Sequence, residues 1–267
     1  MASNGSVSIP SHSFIQAKVD EVTQDQLVYA QMGLEQNGSS NGWQLFAEDG
    51  QMRLYSRELI VDGLVCDPLK AVRIVKGVTA HEMCHRFFSP AFRYDWEETL
   101  ETMKVIDIVN ETTLVFHQIH KRIWPAAQRD AVFWSHIRQI EDPKPSYLSA
   151  DDIHPSNRPD LKLHDVWIVC SNSVDRPDLP EGNCVRVVLT VSLVCETYIP
   201  VSKTADTVER DELICKVIYS STINPGGWAP AAILRTVYRR EYPRFLENFS
   251  NYVIKATKTK PIAFKPE

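Results

Sequence analysis

Six segments rich in Val, Ile, Thr and aromatic residues follow one another between residues 102 and 222, and the chain then closes on one long amphipathic stretch. The segments are 102–109, 112–121, 130–140, 165–174, 184–198 and 212–222. Such side chains suit a pleated sheet, and short joints such as Asn110-Glu111 favour antiparallel neighbours. The closing stretch, WAPAAILRTVYRREYPRFLENFSNYVIKAT, sets Leu234, Val237, Tyr238, Tyr242, Phe245, Phe249 and Val253 among others on one stripe. A helix with one apolar stripe has to bury it, and the sheet is the surface on offer. Pro230 fits its first turn, and Pro243 is expected to kink it midway.

Ahead of the strands, residues 14–33 read as a helix closed by Gly33, with Phe14, Val19, Val22, Leu27 and Met32 at helical spacing. WQLFAEDGQMRLYSREL reads as two strands about a turn at Asp49-Gly50, and Ala71–Val75 as another. Residues 141–165 carry four prolines and many charges and read as an exposed loop. Met1–Ser13 is polar, has no hydrophobic core of a signal peptide, and reads as a disordered leader. The expected class is α+β, a single domain over 14–267.

Composition narrows the function. A net charge of −5 argues against a nucleic-acid partner and against a polybasic membrane patch. No apolar run reaches the ~20 residues needed to span a bilayer. The six cysteines include no C-x-x-C pair and are expected as buried, reduced thiols, which makes the sequons at Asn4, Asn37, Asn110 and Asn248 chance matches.

HEMCH, residues 81–85, matches H-E-x-x-H, the zinc helix of metalloproteases. Its surroundings do not. Phe88 and Ala91 stand where a metzincin has Gly and His, and DWEETLE runs into strands where a second zinc helix would be needed. Thr79-Ala80-His81-Glu82 is better read as a capping box, with Val78 and Met83 as the hydrophobic staple. The motif is expected to be structural.

More telling are polar residues on strand faces that should be apolar. Alternation puts Gln118 and His120 with Leu114 and Phe116, Ser171 with Trp167 and Val169, and Tyr219 with Cys215 and Val217. A buried unpaired amide or hydroxyl costs about 1–3 kcal/mol, so each needs a partner, in the core itself or on the polar end of an apolar ligand. Trp124 and Trp228 fall in loops by composition, as core plugs or as anchors in a membrane interface.

From Trp43 to about Phe264 the sequence resembles the START (steroidogenic acute regulatory-related lipid transfer) domain, above all its ceramide-carrying branch. NGWQLFAEDGQMRLYSRE, DWEETLE, HKRIWPAAQRD, WIVC and NPGGWAPAAILRTVYRREYPRFL carry the likeness. The resemblance implies a helix-grip fold: a curved antiparallel sheet around an apolar tunnel, closed by the C-terminal helix. It implies a carrier rather than an enzyme, without cofactor or metal, working as a monomer in the cytoplasm at endoplasmic reticulum and Golgi membranes. Its cargo would be ceramide, with phosphatidylcholine or a sterol, carried or sensed, as the alternative. Glu97, Gln118 and Tyr219 match the polar residues that hold ceramide in the family. The family's Asn after WIVC is replaced here by Ser171, with Asn172 one residue later. Either Ser171 takes over, or a bulge re-aims Asn172. Trp124 and Trp228 match the family's membrane-touching tryptophans.

Overall fold

The computed structural model describes residues 9–34, 42–123, 126–146, 158–179, 181–227 and 230–266. Helix α1 (His12–Gln31) comes first, capped by the Ser11 hydroxyl, which accepts from Phe14 N at 3.2 Å. It begins two residues before the expected start and inside the expected leader, of which residues 1–8 lie outside the described residues. Then follow β1 (Trp43–Asp49), β2 (Met52–Arg57), β3 (Ile60–Val61), β4 (Leu64–Val65), β5 (Leu69–Lys76), α2 (Ala80–Phe88) and α3 (Arg93–Trp96). The rest is β6 (Leu100–Asn110), β7 (Thr113–His120), β8 (Arg129–Gln139), β9 (Leu161–Ser173), β10 (Val185–Pro200), β11 (Ile214–Asn224) and α4 (Ala231–Thr257).

Nine of the strands form one sheet in the order β1-β2-β5-β11-β10-β9-β8-β7-β6. All neighbours are antiparallel apart from a short parallel contact of Val185–Val187 with Arg129–Ala131. Both faces of the sheet centre are covered, which is why its strands read as near-continuous apolar runs. In β9, Trp167 and Val169 point inward with Met83, Cys84 and Phe87 of α2 and Leu246, Phe249 and Val253 of α4. Val166 and Ile168 point outward with Leu27 and Ala30 of α1, and Cys170 packs with Ile15 and Val19. Within α1 the buried face is therefore Ile15, Val19, Thr23, Leu27 and Ala30, while Phe14 and Met32, expected on that face, are exposed.

α1 is clamped by a buried cation. Lys70 Nζ, fully buried on β5, donates to the carbonyls of Tyr29 (2.6 Å) and Met32 (3.1 Å) and lies 4.4 Å from the Tyr29 ring centroid. The C-terminal end of a helix carries unsatisfied carbonyls and partial negative charge, so a cation there satisfies both. Burial still pushes this amine down to about 8.

The capping box on α2 is present in full: Glu82 N donates to Thr79 Oγ1 at 3.1 Å and Thr79 N to Glu82 Oε2 at 3.1 Å. Val78 and Met83 are both buried in the inner core. Arg210 binds the same carboxylate at 2.9 and 3.0 Å. Glu82 is thus wholly committed to holding elements together.

Three expectations need correction. Pro230 is the N-cap of α4, in extended conformation, not part of its first turn. Residues 161–165 belong to β9 instead of a loop, because the β9–β10 pairing continues to Leu161↔Pro200. Nor is the stretch after 141 wholly exposed: Ser146 is buried, its N–H donating to Glu196 Oε1 (2.7 Å) and its carbonyl accepting from Lys216 Nζ (2.7 Å). Residues 147–157 lie outside the described residues. The six cysteines are free thiols, five of them buried and Cys184 half-buried.

Two buried histidines make the framework sensitive to acid. The His81 ring lies 4.8 Å from that of Trp167, and His136 Nδ1 lies 2.9 Å from the Thr113 hydroxyl. Burial pushes each down to about 4 from an ordinary 6.5. Between those values the unfolded chain takes protons that the folded chain refuses. Stability is therefore full above about pH 6.5 and falls as the pH drops toward 4. At pH 5 the loss should reach up to about 2 kcal/mol per histidine. Urea unfolding at pH 7.5 and pH 5 measures it, and His136→Gln should narrow the difference.

Candidate functional site

A cavity of about 310 Å³ lies between the sheet and the first half of α4. Val187 and Leu189 of β10 and Tyr219 and Ile223 of β11 form one wall, and Ile233, Leu234, Val237, Tyr238, Tyr242 and Phe245 of α4 form the other. Trp96, Glu97 and His120 close one side. The lining is overwhelmingly apolar, with a few polar groups gathered at this side, the usual constitution of a small-molecule site.

Glu97 follows α3 directly, and its N–H donates to Arg93 O at 2.9 Å, closing one helical turn. That spacing of four sets the Arg93 guanidinium and the Glu97 carboxylate side by side as an ion pair. Both are buried. Arg93 also donates to the Phe87 carbonyl at 3.1 Å and lies over the Trp96 ring, 4.6 Å from its centroid. Gln118 stands behind Glu97 on β7, where the period-2 face also carries Leu114 and Phe116. Its Nε2 donates to Glu97 Oε1 at 2.9 Å, which leaves the amide oxygen as a fixed acceptor. His120 Nδ1 lies 4.0 Å from the same carboxylate, and burial lowers its basicity despite that neighbour.

Tyr219 is buried against Phe245 (5.5 Å), Tyr242 (6.1 Å) and Phe87 (6.4 Å), ring centroid to ring centroid. Burial holds its phenol far above the ordinary range, so it remains a neutral donor at any working pH. Glu97 and Tyr219 line the cavity, with Gln118 tied to Glu97.

The other expected residues sit elsewhere. Ser171 is buried on the inner face of β9, its hydroxyl donating to the Ser135 hydroxyl at 3.0 Å, and it is not part of the cavity wall. Asn172 points the opposite way. β9 keeps regular register with β8 and β10 at this point, so no bulge turns the side chain inward. It bonds Thr190 Oγ1 (2.7 Å) and the Ser173 carbonyl (3.1 Å) instead. Trp124 and Trp228 lie outside the described residues. Ile123 and Ile233 line the cavity and yet are 41% and 40% exposed, which marks the mouth. Gly226 fits here because its φ is +61° and a Cβ would come within 2.7 Å of the Arg186 carbonyl, an approach only glycine permits.

Sequence reasoning missed Arg93 and Trp96. The R-x-x-x-E spacing ahead of β6 would have pointed to the first. The buried indole N–H of Trp96 has no hydrogen-bond acceptor among the described residues, a donor left over at the cavity wall. Cations near the cavity are engaged. Arg93 faces Glu97, Lys121 donates to the Glu98 carbonyl, Arg129 to those of Ala127 and Pro225, and Arg244 to the Glu98 carboxylate.

Comparison with known proteins agrees with this geometry. The START domain profile matches residues 25–259. The chain is 41% identical over 258 residues to the ceramide transfer protein of Cricetulus griseus and 40% identical over 260 residues to that of Homo sapiens. These alignments cover 96% and 97% of this chain but 40% and 38% of the relatives, so the chain spans about two fifths of their length. Among solved structures, human StAR-related lipid transfer protein 5 superposes with a TM-score of 0.64 at 16% identity, covering 92% of this chain and 99% of that one. Human STARD10 gives 0.61 at 13% identity, covering 96% and 85%. At such identities the likeness is one of fold.

Removing one partner of a buried ion pair strands the other. Glu97→Leu should therefore cost about 3–5 kcal/mol of stability, and Arg93→Met a similar amount, whereas the double substitution should cost far less than their sum. Chemical denaturation of the four proteins gives the coupling directly; additive losses would mean that the pair is not coupled.

Proposed function

We propose that this chain, which belongs to the START domain family, takes ceramide from one membrane, encloses it in the cavity under α4 and releases it at another. The observation that carries this reading is the chemistry around Glu97. The carboxylate is an acceptor only, Gln118 offers an amide oxygen, and Tyr219 and Trp96 offer neutral donors. An amide flanked by hydroxyls satisfies such a set. A phosphate does not, because it would lie against Glu97 while Arg93 is already neutralised. The name of the relatives at about 40% identity supports the same cargo.

A two-chain lipid carries on the order of 30 methylenes, each costing ~0.8 kcal/mol in water. Escape through water is correspondingly slow, and a protein that covers the chains removes most of that cost. A cavity of about 310 Å³ sits near the lower end for ligand sites, roughly 300–1,000 Å³. Loading therefore requires the first half of α4 to lift, and Trp124 and Trp228 are the proposed membrane contacts. Endoplasmic reticulum and Golgi membranes are the proposed donor and acceptor. Ser171, bonded to Ser135 and outside the cavity wall, would reach the cargo only through a water.

Transfer of labelled ceramide, phosphatidylcholine and cholesterol between two vesicle populations tests this. Ceramide should move selectively, and Glu97→Gln and Gln118→Leu, checked for folding, should each slow it at least about tenfold, the ~1.4 kcal/mol expected of one buried hydrogen bond to a ligand. Preferential movement of phosphatidylcholine or cholesterol, or wild-type rates in both variants, would overturn the cargo while keeping the fold.

A further inference from the structure

Glu97 and Gln118 are not the only acceptors on the cavity wall. His120 of β7 stands on the same strand face as Gln118, two residues on toward Ile123, and lines the cavity with Glu97. Its Nδ1 lies 3.3 Å from the Thr99 hydroxyl and 4.0 Å from Glu97 Oε1. The carboxylate can only accept, and its charge favours a proton on the nitrogen that faces it. Burial keeps the ring neutral, so it carries a single proton, and that proton belongs on Nδ1. The lone pair is then on Nε2, across the ring, which has no hydrogen-bond partner among the described residues.

That nitrogen opens on the cavity. The ring lies deep enough for burial to outweigh the attraction of the Glu97 charge, yet 34% of its side-chain surface is accessible. Accessible surface at that depth is the surface of a cavity, and the cavity under α4 is the one His120 lines. The charged groups around it are occupied with one another. Arg93 faces Glu97, Lys121 donates to the Glu98 carbonyl, and Arg244 of α4 donates to the Glu98 carboxylate.

We infer that His120 is a specificity-determining residue, its Nε2 accepting a hydrogen bond from one hydroxyl of the cargo. The inference rests on the carrier reading above, with ceramide as the cargo. Ceramide presents three donors, an amide N–H and two hydroxyls. Glu97 and Gln118 accept from two of them, while Tyr219 and Trp96 donate to the amide carbonyl. Ser171 is bonded to Ser135 outside the wall and Asn172 is turned to Thr190, so neither meets the third donor. A hydroxyl taken out of water without an acceptor gives up its hydrogen bond for nothing, so a lipid is held best when every donor is matched. His120 makes that match. A diacylglycerol, with one hydroxyl and no N–H, leaves acceptors on this wall unpaired and is rejected for that reason.

The test follows vesicle-to-vesicle transfer of ceramide and of two analogues, one without the 1-hydroxyl and one without the 3-hydroxyl. Wild type is set beside His120→Phe, which keeps a flat ring and removes the acceptor, and His120→Gln, which restores one at about the same reach. Urea midpoints check that each variant folds. His120→Phe should slow ceramide by about five- to tenfold, equivalent to ~1–1.4 kcal/mol, and slow one analogue by no more than about twofold. His120→Gln should keep most of the ceramide rate. Equal slowing of all three lipids by His120→Phe overturns the inference, since the ring would then serve only the shape of the wall. The wild-type protein gives a reading that needs no variant: the ¹⁵N resonance of His120 Nε2 should move on loading with ceramide and stay in place with one of the analogues. A resonance that ignores ceramide sinks the inference. If wild type and His120→Phe move ceramide equally fast, this inference alone fails; if wild type moves no ceramide, the carrier reading fails and this one with it.

Discussion

Three distant parts of the chain meet at one carboxylate. Glu82 closes the cap of α2, receives both arms of Arg210 from the turn before β11, and lies 3.4 Å from the N–H of Ala263 in the tail beyond α4. Arg210 in turn donates to the carbonyls of Gly77, Lys260 and Pro261. Buried charge is costly unless satisfied on all sides, and here each oxygen has protein donors. The far end of α4 is pinned as a result, and the cavity can exist without the molecule collapsing into it.

That pinning gives α4 two unlike halves. Leu246, Phe249 and Val253 are buried in the inner core, whereas Ile233 is exposed and Leu234, Val237 and Tyr238 face the cavity. Pro243 lies between them within a helix that runs unbroken from Ala231 to Thr257 and removes one backbone donor there. The first half covers a cavity instead of a packed core and is tied by Arg235 to Asp67 and Glu58, by Arg244 to Glu98 and by Tyr242 to Ser221, so it is the half with less to lose on lifting.

Much of the fold was legible because its signals are local. Strand alternation, the box at Thr79 and Glu82, and the stripe of α4 each depend on residues a few positions apart. Where the reading failed, the deciding partner was remote. Thr23 rather than Phe14 lies on the buried face of α1, because the sheet's outer surface, not the helix's own hydrophobicity, chooses the face. Ser146 is buried by Glu196 and Lys216, fifty and seventy residues away. The VDGL turn at Asp62-Gly63 was a local signal passed over, since the flanking strands are only two residues long. At the candidate site, Gln118 and Tyr219 were legible from their positions on apolar faces and Glu97 from family likeness alone, while Arg93 was not. A buried cation is visible in a sequence only once its counter-ion is placed.

The sheet ends on two edges, β1 and β6, and it is a helix, not a strand-to-strand seam, that spans the interior between them. In a closed barrel the number of strands and their shear fix the bore, and widening it means breaking ladder hydrogen bonds. Here the gap can open while every rung of the ladder survives. The internal capacity is therefore not a fixed dimension of the architecture but an elastic one, set by how far a helix hinged at its buried end can swing. In the proposed carrier, chains of different length would then share one set of strands, and discrimination would fall to the few polar atoms that α3 and the sheet hold in place.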